Sequence, residues 1–249
     1  YNPPPHLRYV PTQFRANFVC ILLLANAAIS FASTLLSVLE LLWPGELFSE
    51  GFEDNPVTLV LALLTLALAI VQIVVYITTV VVFLMWLYRA HENLAAFGIP
   101  RNQMQYSSAW AVGSFFVPFA SLIIPYRAIR ELWQKSVPNY VTMFSTLSPP
   151  RFFPVWWGFW ITSNMADQAY LRLSWREQAP AEVVEVIGAI GGILGIVAAL
   201  LAIKVVREIQ RQQVETSKLA RAQPDFTPPP GPPQFEQPGN LSAPSPSNS

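Results

Sequence analysis

The stretch Asn102-Gln-Met-Gln-Tyr-Ser-Ser-Ala-Trp-Ala-Val-Gly-Ser-Phe-Phe-Val-Pro118-Phe-Ala-Ser-Leu-Ile-Ile-Pro125-Tyr126 carries no charge, yet holds Pro118 near its middle and Pro125 near its end. A helix needs about 20 apolar residues to cross a bilayer. An interior proline removes a backbone hydrogen bond and kinks or breaks such a helix. Three other uncharged stretches, at 16–39, 56–88 and 186–203, lack this conflict and read as plain membrane spans. The chain is therefore an integral membrane protein with one broken apolar segment.

Composition agrees. Charged residues make up 12% of the chain, against about 25% in soluble domains, and hydrophobic residues reach 53%. The solvent for most of the chain is lipid. Formal net charge is zero, so no global field recruits nucleic acid. Cys20 is the single cysteine, which excludes an internal disulfide and a cysteine-based metal cluster. The chain opens on Tyr1 rather than Met, which points to processing or to an upstream start. Its first apolar run is too long for the core of a cleavable signal peptide.

Four regions follow. Residues 1–15 are a polar segment, 16–206 a multi-pass membrane domain, 207–223 a basic helical extension and 224–249 a Pro-rich tail. The tail cannot bury a core and is expected to be disordered. The first span closes at Trp43-Pro44-Gly45, and the acidic connector 44–55 follows. The second, uncharged for 33 residues, makes roughly 50 Å of helix, more than a hydrocarbon core of about 30 Å. It should tilt or project from the membrane and stop at Gly98, with Pro100 just beyond.

After the broken segment, Tyr126-Arg-Ala-Ile-Arg-Glu-Leu-Trp133 places Ile129, Leu132 and Trp133 on one face and Arg127, Arg130, Glu131 and Lys135 on the other. That pattern predicts a short interfacial helix. Residues 152–166 form a short apolar run with Trp156, Trp157 and Trp160, read as a further crossing with interfacial tryptophans. In the last span, Gly188/Gly192 and Gly191/Gly195 are two overlapping G-x-x-x-G pairs, which let helix backbones approach closely.

Lys and Arg gather on the cytoplasmic side of short loops. Segments 1–15, 89–106, 126–151 and 204–223 carry two, two, four and five of them, against none in 44–55 and two in 167–185. If 102–126 re-enters, those richer segments share one side. The expected fold is an all-α membrane protein with four transmembrane helices, a re-entrant or kinked fifth segment and an amphipathic interfacial helix. The expected setting is an inner membrane with both termini cytoplasmic.

Trp86-Leu-Tyr-Arg-Ala-His-Glu-Asn-Leu94, Tyr106-Ser-Ser-Ala-Trp110 through Pro118, Pro125-Tyr-Arg127, Glu131-Leu-Trp133 and Trp156-Trp157-Gly-Phe-Trp160 resemble the bacterial membrane family catalogued as domain of unknown function 4328. The resemblance spans roughly 57–210. It implies a bacterial multi-pass protein with low-complexity termini, and no established activity. Gln103-Met104-Gln105 and the Pro-rich 138–154 connector depart from that pattern.

Chemistry-bearing residues are sparse. His91, one of two histidines, reads as a solvated helix-end residue rather than a metal ligand. Glu40 and Asp167 read as interfacial acids rather than carriers. Asn17, Asn26, Gln72 and Asn164 are expected to bond between helices. No H-E-x-x-H, phosphate-binding glycine loop or G-x-S-x-G occurs, so no enzyme, cofactor or metal is expected. Interfacial, lipid or partner contact falls to Arg127, Arg130, Trp133, Lys135 and the three tryptophans. The leading expectation is a membrane scaffold or accessory subunit working with other membrane subunits. The rival is a small channel or transporter that uses 102–126 as a pore or substrate element.

Overall fold

The computed structural model describes residues 9–42, 56–137, 148–176 and 179–222. The start of the polar N-terminal segment, the acidic connector 44–55, most of the 138–154 connector, the Glu40 side chain and the Pro-rich tail lie outside them.

Six α-helices are present among the described residues: α1 (Gln13–Leu42), α2 (Pro56–Ala96), α3 (Ser108–Gly113), α4 (Ala120–Ser136), α5 (Phe152–Ser174) and α6 (Ala181–Ala222). Among the described residues, only α1, α2 and α6 are long and apolar enough to cross a membrane. The protein is thus a multi-pass membrane protein, and the expectation of four transmembrane helices plus a re-entrant or kinked fifth segment is corrected to three helices of that length and apolarity. The residues show why. Helix α5 carries Asn164, Asp167, Gln168 and Arg172 among its apolar positions, which dilutes it below a membrane span. The 102–126 stretch divides into a 3-10 turn at Arg101–Gln103, α3, a second 3-10 turn at Ser114–Phe116, and the first residues of α4. Its break falls beside Pro118, where Phe119 adopts φ 62° and ψ −42°, a backbone state costly for any residue with a Cβ. Pro125, by contrast, sits inside α4 without ending it.

Local chemistry places the other ends. At the end of α2, Gly98 takes φ 83° and the Ile99 N–H returns to the Leu94 carbonyl at 3.2 Å. Only glycine enters that left-handed state without penalty. Ser107 caps α3 by accepting the Trp110 N–H at 3.1 Å.

Helices α2 and α6 hold 41 and 42 residues, about 60 Å each and twice the thickness of a hydrocarbon core. Their excess length builds the core. The buried apolar residues gather at one end of the bundle: Val19 from α1, Trp86 and Leu94 from α2, Ile129 and Leu132 from α4, Phe153 from α5, and Val206 and Ile209 from α6. Away from it the large apolar side chains of α2, such as Leu63, Ile70 and Ile77, are exposed. That surface has nothing to gain from water and suits lipid.

Helix α6 lies antiparallel to α1 and α5 and packs most extensively against them. A Cβ on Gly188 would come within 3.0 Å of the Tyr170 ring, and one on Gly191 within 2.9 Å of Asp167 Oδ1. One on Gly192 would collide with the Thr34 hydroxyl, whereas Gly195 faces open space. The basic extension 207–222 continues the same helix, and its Ile209, Gln210 and Gln213 are buried.

Candidate polar site at the core end

Buried polar residues converge where α2 and α6 outrun their apolar spans and meet α4. Glu131 points inward from α4. Its Oε1 accepts the Gln105 N–H at 2.6 Å and its Oε2 the Tyr106 N–H at 3.1 Å. Lys135, one turn later, forms an ion pair with Glu131 and donates to the Gln103 carbonyl at 2.6 Å. Both side chains are buried. A buried charge survives only when paired and bonded, and here the pair also satisfies backbone groups of residues 103–106. The i,i+4 spacing sets the two groups on one face; the loop folded over them removes water.

A cleft of about 350 Å³ adjoins this clamp, with Tyr88, His91, Glu92, Arg101, Met104 and Ser108 in its walls. His91 is only 1% exposed. Its Nε2 donates to the Ala128 carbonyl at 3.2 Å, and its Nδ1 has no partner among the described residues. The expected solvated helix-end histidine is instead part of the core. Glu92 accepts the Ser108 hydroxyl and meets Arg101 at 3.5 Å. The Ser108 hydroxyl is thus turned to Glu92 rather than to His91, so the serine–histidine bond of an activated nucleophile is not formed. Among the described residues, no three His, Cys, Asp or Glu side chains come together to hold a metal ion.

A second set of bonds ties α6 to this end. Gln213 Nε2 donates to the Ala90 carbonyl at 2.8 Å and to Ser136 Oγ at 3.3 Å. The Thr216 hydroxyl donates to the Ser136 carbonyl at 2.8 Å. Asn93 bonds both the N–H and the carbonyl of Val10, at 3.1 and 2.9 Å.

The tryptophans expected at the membrane surface face inward. Trp156 and Trp157 are buried. Trp157 stacks on Trp160 at 4.6 Å and donates its indole N–H to the Leu122 carbonyl at 2.9 Å. Trp160 meets Phe115 edge-on at 6.2 Å, and Phe115 meets Phe83 at 6.1 Å. This aromatic ladder holds residues 115–122 between α2 and α5. Trp133 is buried against Phe153. Of the α4 residues assigned to lipid or partner contact, Trp133 and Lys135 are therefore interior, and Arg127 and Arg130 are exposed.

His91, Glu131, Gln210 and Gln213 were not legible as site residues. One signal existed for α6: Val206, Ile209, Gln210, Gln213 and Ser217 recur at helical spacing and carry no charge within a charged stretch, which marks a buried face.

A family model described as Domain of unknown function (DUF4328) matches residues 57–211. No curated protein and no solved structure matches the chain.

Proposed function

We propose a function from the residues themselves, because this chain belongs to the DUF4328 family, whose description assigns no activity. The proposal is a non-enzymatic scaffold or accessory subunit of a larger bacterial membrane complex, seated in the inner membrane. The observation that carries it is the use made of buried polar groups at the core end. Glu131 and Lys135 fasten residues 103–106 to α4, and Gln213 fastens α6 to α2 and α4. Groups spent on joining elements build a rigid platform, on whose outer face Arg127 and Arg130 stay exposed. Such a surface suits acidic groups of a partner.

The Thr12 hydroxyl donates to Gln210 Oε1 at 2.8 Å, so the start of α1 and the last turns of α6 share one side of the bundle.

Extraction of the native membrane in mild detergent, sizing and identification of co-migrating proteins test the reading. A defined larger assembly, lost on reversing charge at Arg127 and Arg130 to Glu, is expected. Migration as the lone chain overturns it. The second reading, a small channel or transporter, draws on the cleft of about 350 Å³ beside residues 101–109. Solute flux in liposomes that is abolished at His91 or Glu92 would replace the scaffold with it.

A further inference from the structure

We propose that a separate cleft, between the first turns of α1 and the last turns of α6, binds the phosphate of an anionic phospholipid headgroup. This site does not depend on the scaffold reading. The cleft measures about 310 Å³, and its walls include Gln13, Asn17, Cys20, Arg207, Gln210 and Lys218. Arg211 and Glu215 complete its charged lining, giving three cations against one carboxylate.

Three observations define the ligand. Arg211 is engaged by Glu208 at 2.9 Å, whereas Arg207, which bonds the Cys20 side chain, and Lys218 have no ion pair among the described residues and stand exposed at the rim. Gln210 is 8% exposed and lines the cleft. Its Oε1 is taken by Thr12 at 2.8 Å, which leaves Nε2 as a buried donor without a partner. Gln13 and Asn17 add further amide groups. A buried donor left unmatched costs free energy, and cations beside amide donors suit phosphate oxygens.

The surroundings select a lipid over free phosphate. Phe14, Phe18 and Ile21 flank the cleft along α1 and are 81%, 39% and 62% exposed. They offer acyl chains an apolar track next in sequence to the cleft residues Gln13, Asn17 and Cys20. Aromatic and apolar residues on one side, with Lys and Arg on the other, define a headgroup boundary.

The test uses the full chain in mild detergent, titrated with short-chain phosphatidylglycerol, short-chain phosphatidylcholine or inorganic phosphate, with binding read by native mass spectrometry. Phosphatidylglycerol should be retained and phosphatidylcholine should not. The double variant R207A/K218A should weaken phosphatidylglycerol about 30-fold, since each cation near an anionic surface contributes about 1 kcal/mol, or about fivefold. R207K/K218R should restore most of that loss. Both substituted side chains are exposed, so the fold is retained, and an unchanged sizing profile verifies it. Equal retention of the two lipids, or unaltered binding by R207A/K218A, overturns the proposal. Displacement of phosphatidylglycerol by equimolar inorganic phosphate also overturns it, by assigning the cleft to a soluble anion.

Discussion

Lys135 stands one turn beyond Glu131 on α4, and the two form an ion pair with side chains only 5% and 9% exposed. An exposed pair at this spacing would contribute a few tenths of a kcal/mol. Burial changes the consequence of breaking it. Glu131→Gln leaves the Lys135 ammonium without its counter-charge in the core, which costs about 3–5 kcal/mol. It also weakens the hold on the Gln105 and Tyr106 amides. Thermal unfolding in detergent should shift sharply downward. Trypsin should cut faster after Arg101, whose side chain is 72% exposed beside the loosened loop. Replacing both residues with Leu and Met should recover much of the stability, because no lone charge remains. A single variant as stable as the wild type would show that water reaches the pair.

Gly192 and Gly195 share one helix and each closes one of its two overlapping G-x-x-x-G pairs, but they do not share one environment. The Thr34 hydroxyl occupies the place of a Gly192 side chain, while nothing lies within 4 Å of that place at Gly195. Gly192→Ala should therefore destabilise by about 1–3 kcal/mol through overpacking of α6 on α1. Gly195→Ala should be neutral or gain up to about 1 kcal/mol from better helix propensity. Paired unfolding curves in one detergent check this, and equal shifts would contradict the packing of α1 against α6.

These glycines show what a sequence of this kind discloses. The three membrane helices were legible because an uncharged run needs no partner to declare itself. The end of α2 was legible because Gly98 and Pro100 act locally. The break near Pro118 was legible for the same reason, though the strained residue proved to be its neighbour, Phe119. Glu131 and Lys135 were misplaced on an outer face because their burial depends on residues 103–106 folding over them. Trp156 and Trp157 were misplaced for the same reason. They are covered by residues distant in sequence, including Tyr126 and the Leu122 backbone. The free glycine Gly195 and the occupied Gly192 are indistinguishable in the motif. Only the approach of α1 separates them.

Phe119 adopts φ 62° while its side chain is 86% exposed. Little packing therefore repays the backbone cost of keeping a Cβ in that conformation. Phe119→Gly should remove that cost and stabilise the turn by about 1 kcal/mol. Phe119→Val, branched at Cβ, should do the opposite. A rise in melting temperature for the first variant and a fall for the second are expected. A fall for both would mean that the exposed ring itself contributes, through contact with lipid or a partner.

Asn26 joins α1 to α2 at a depth where few other polar groups lie. Its Nδ2 donates to the Thr79 hydroxyl at 2.5 Å, and its Oδ1 accepts from Gln72 Nε2 at 3.2 Å. The Thr79 hydroxyl in turn donates to the Val75 carbonyl at 2.7 Å. In lipid the competing solvent offers no hydrogen bonds, yet such contacts average only about 0.6 kcal/mol and reach about 1.7, because unpaired groups find other partners. Asn26→Leu removes both contacts at once and leaves Gln72 Nε2 without its acceptor, so the loss should fall near the upper figure. Thr79→Val removes one contact and should cost less. The double variant Asn26→Leu/Thr79→Val should cost less than the sum of the singles, since the same bond is lost in both. Additive losses would mean that Asn26 and Thr79 act through separate partners rather than through each other.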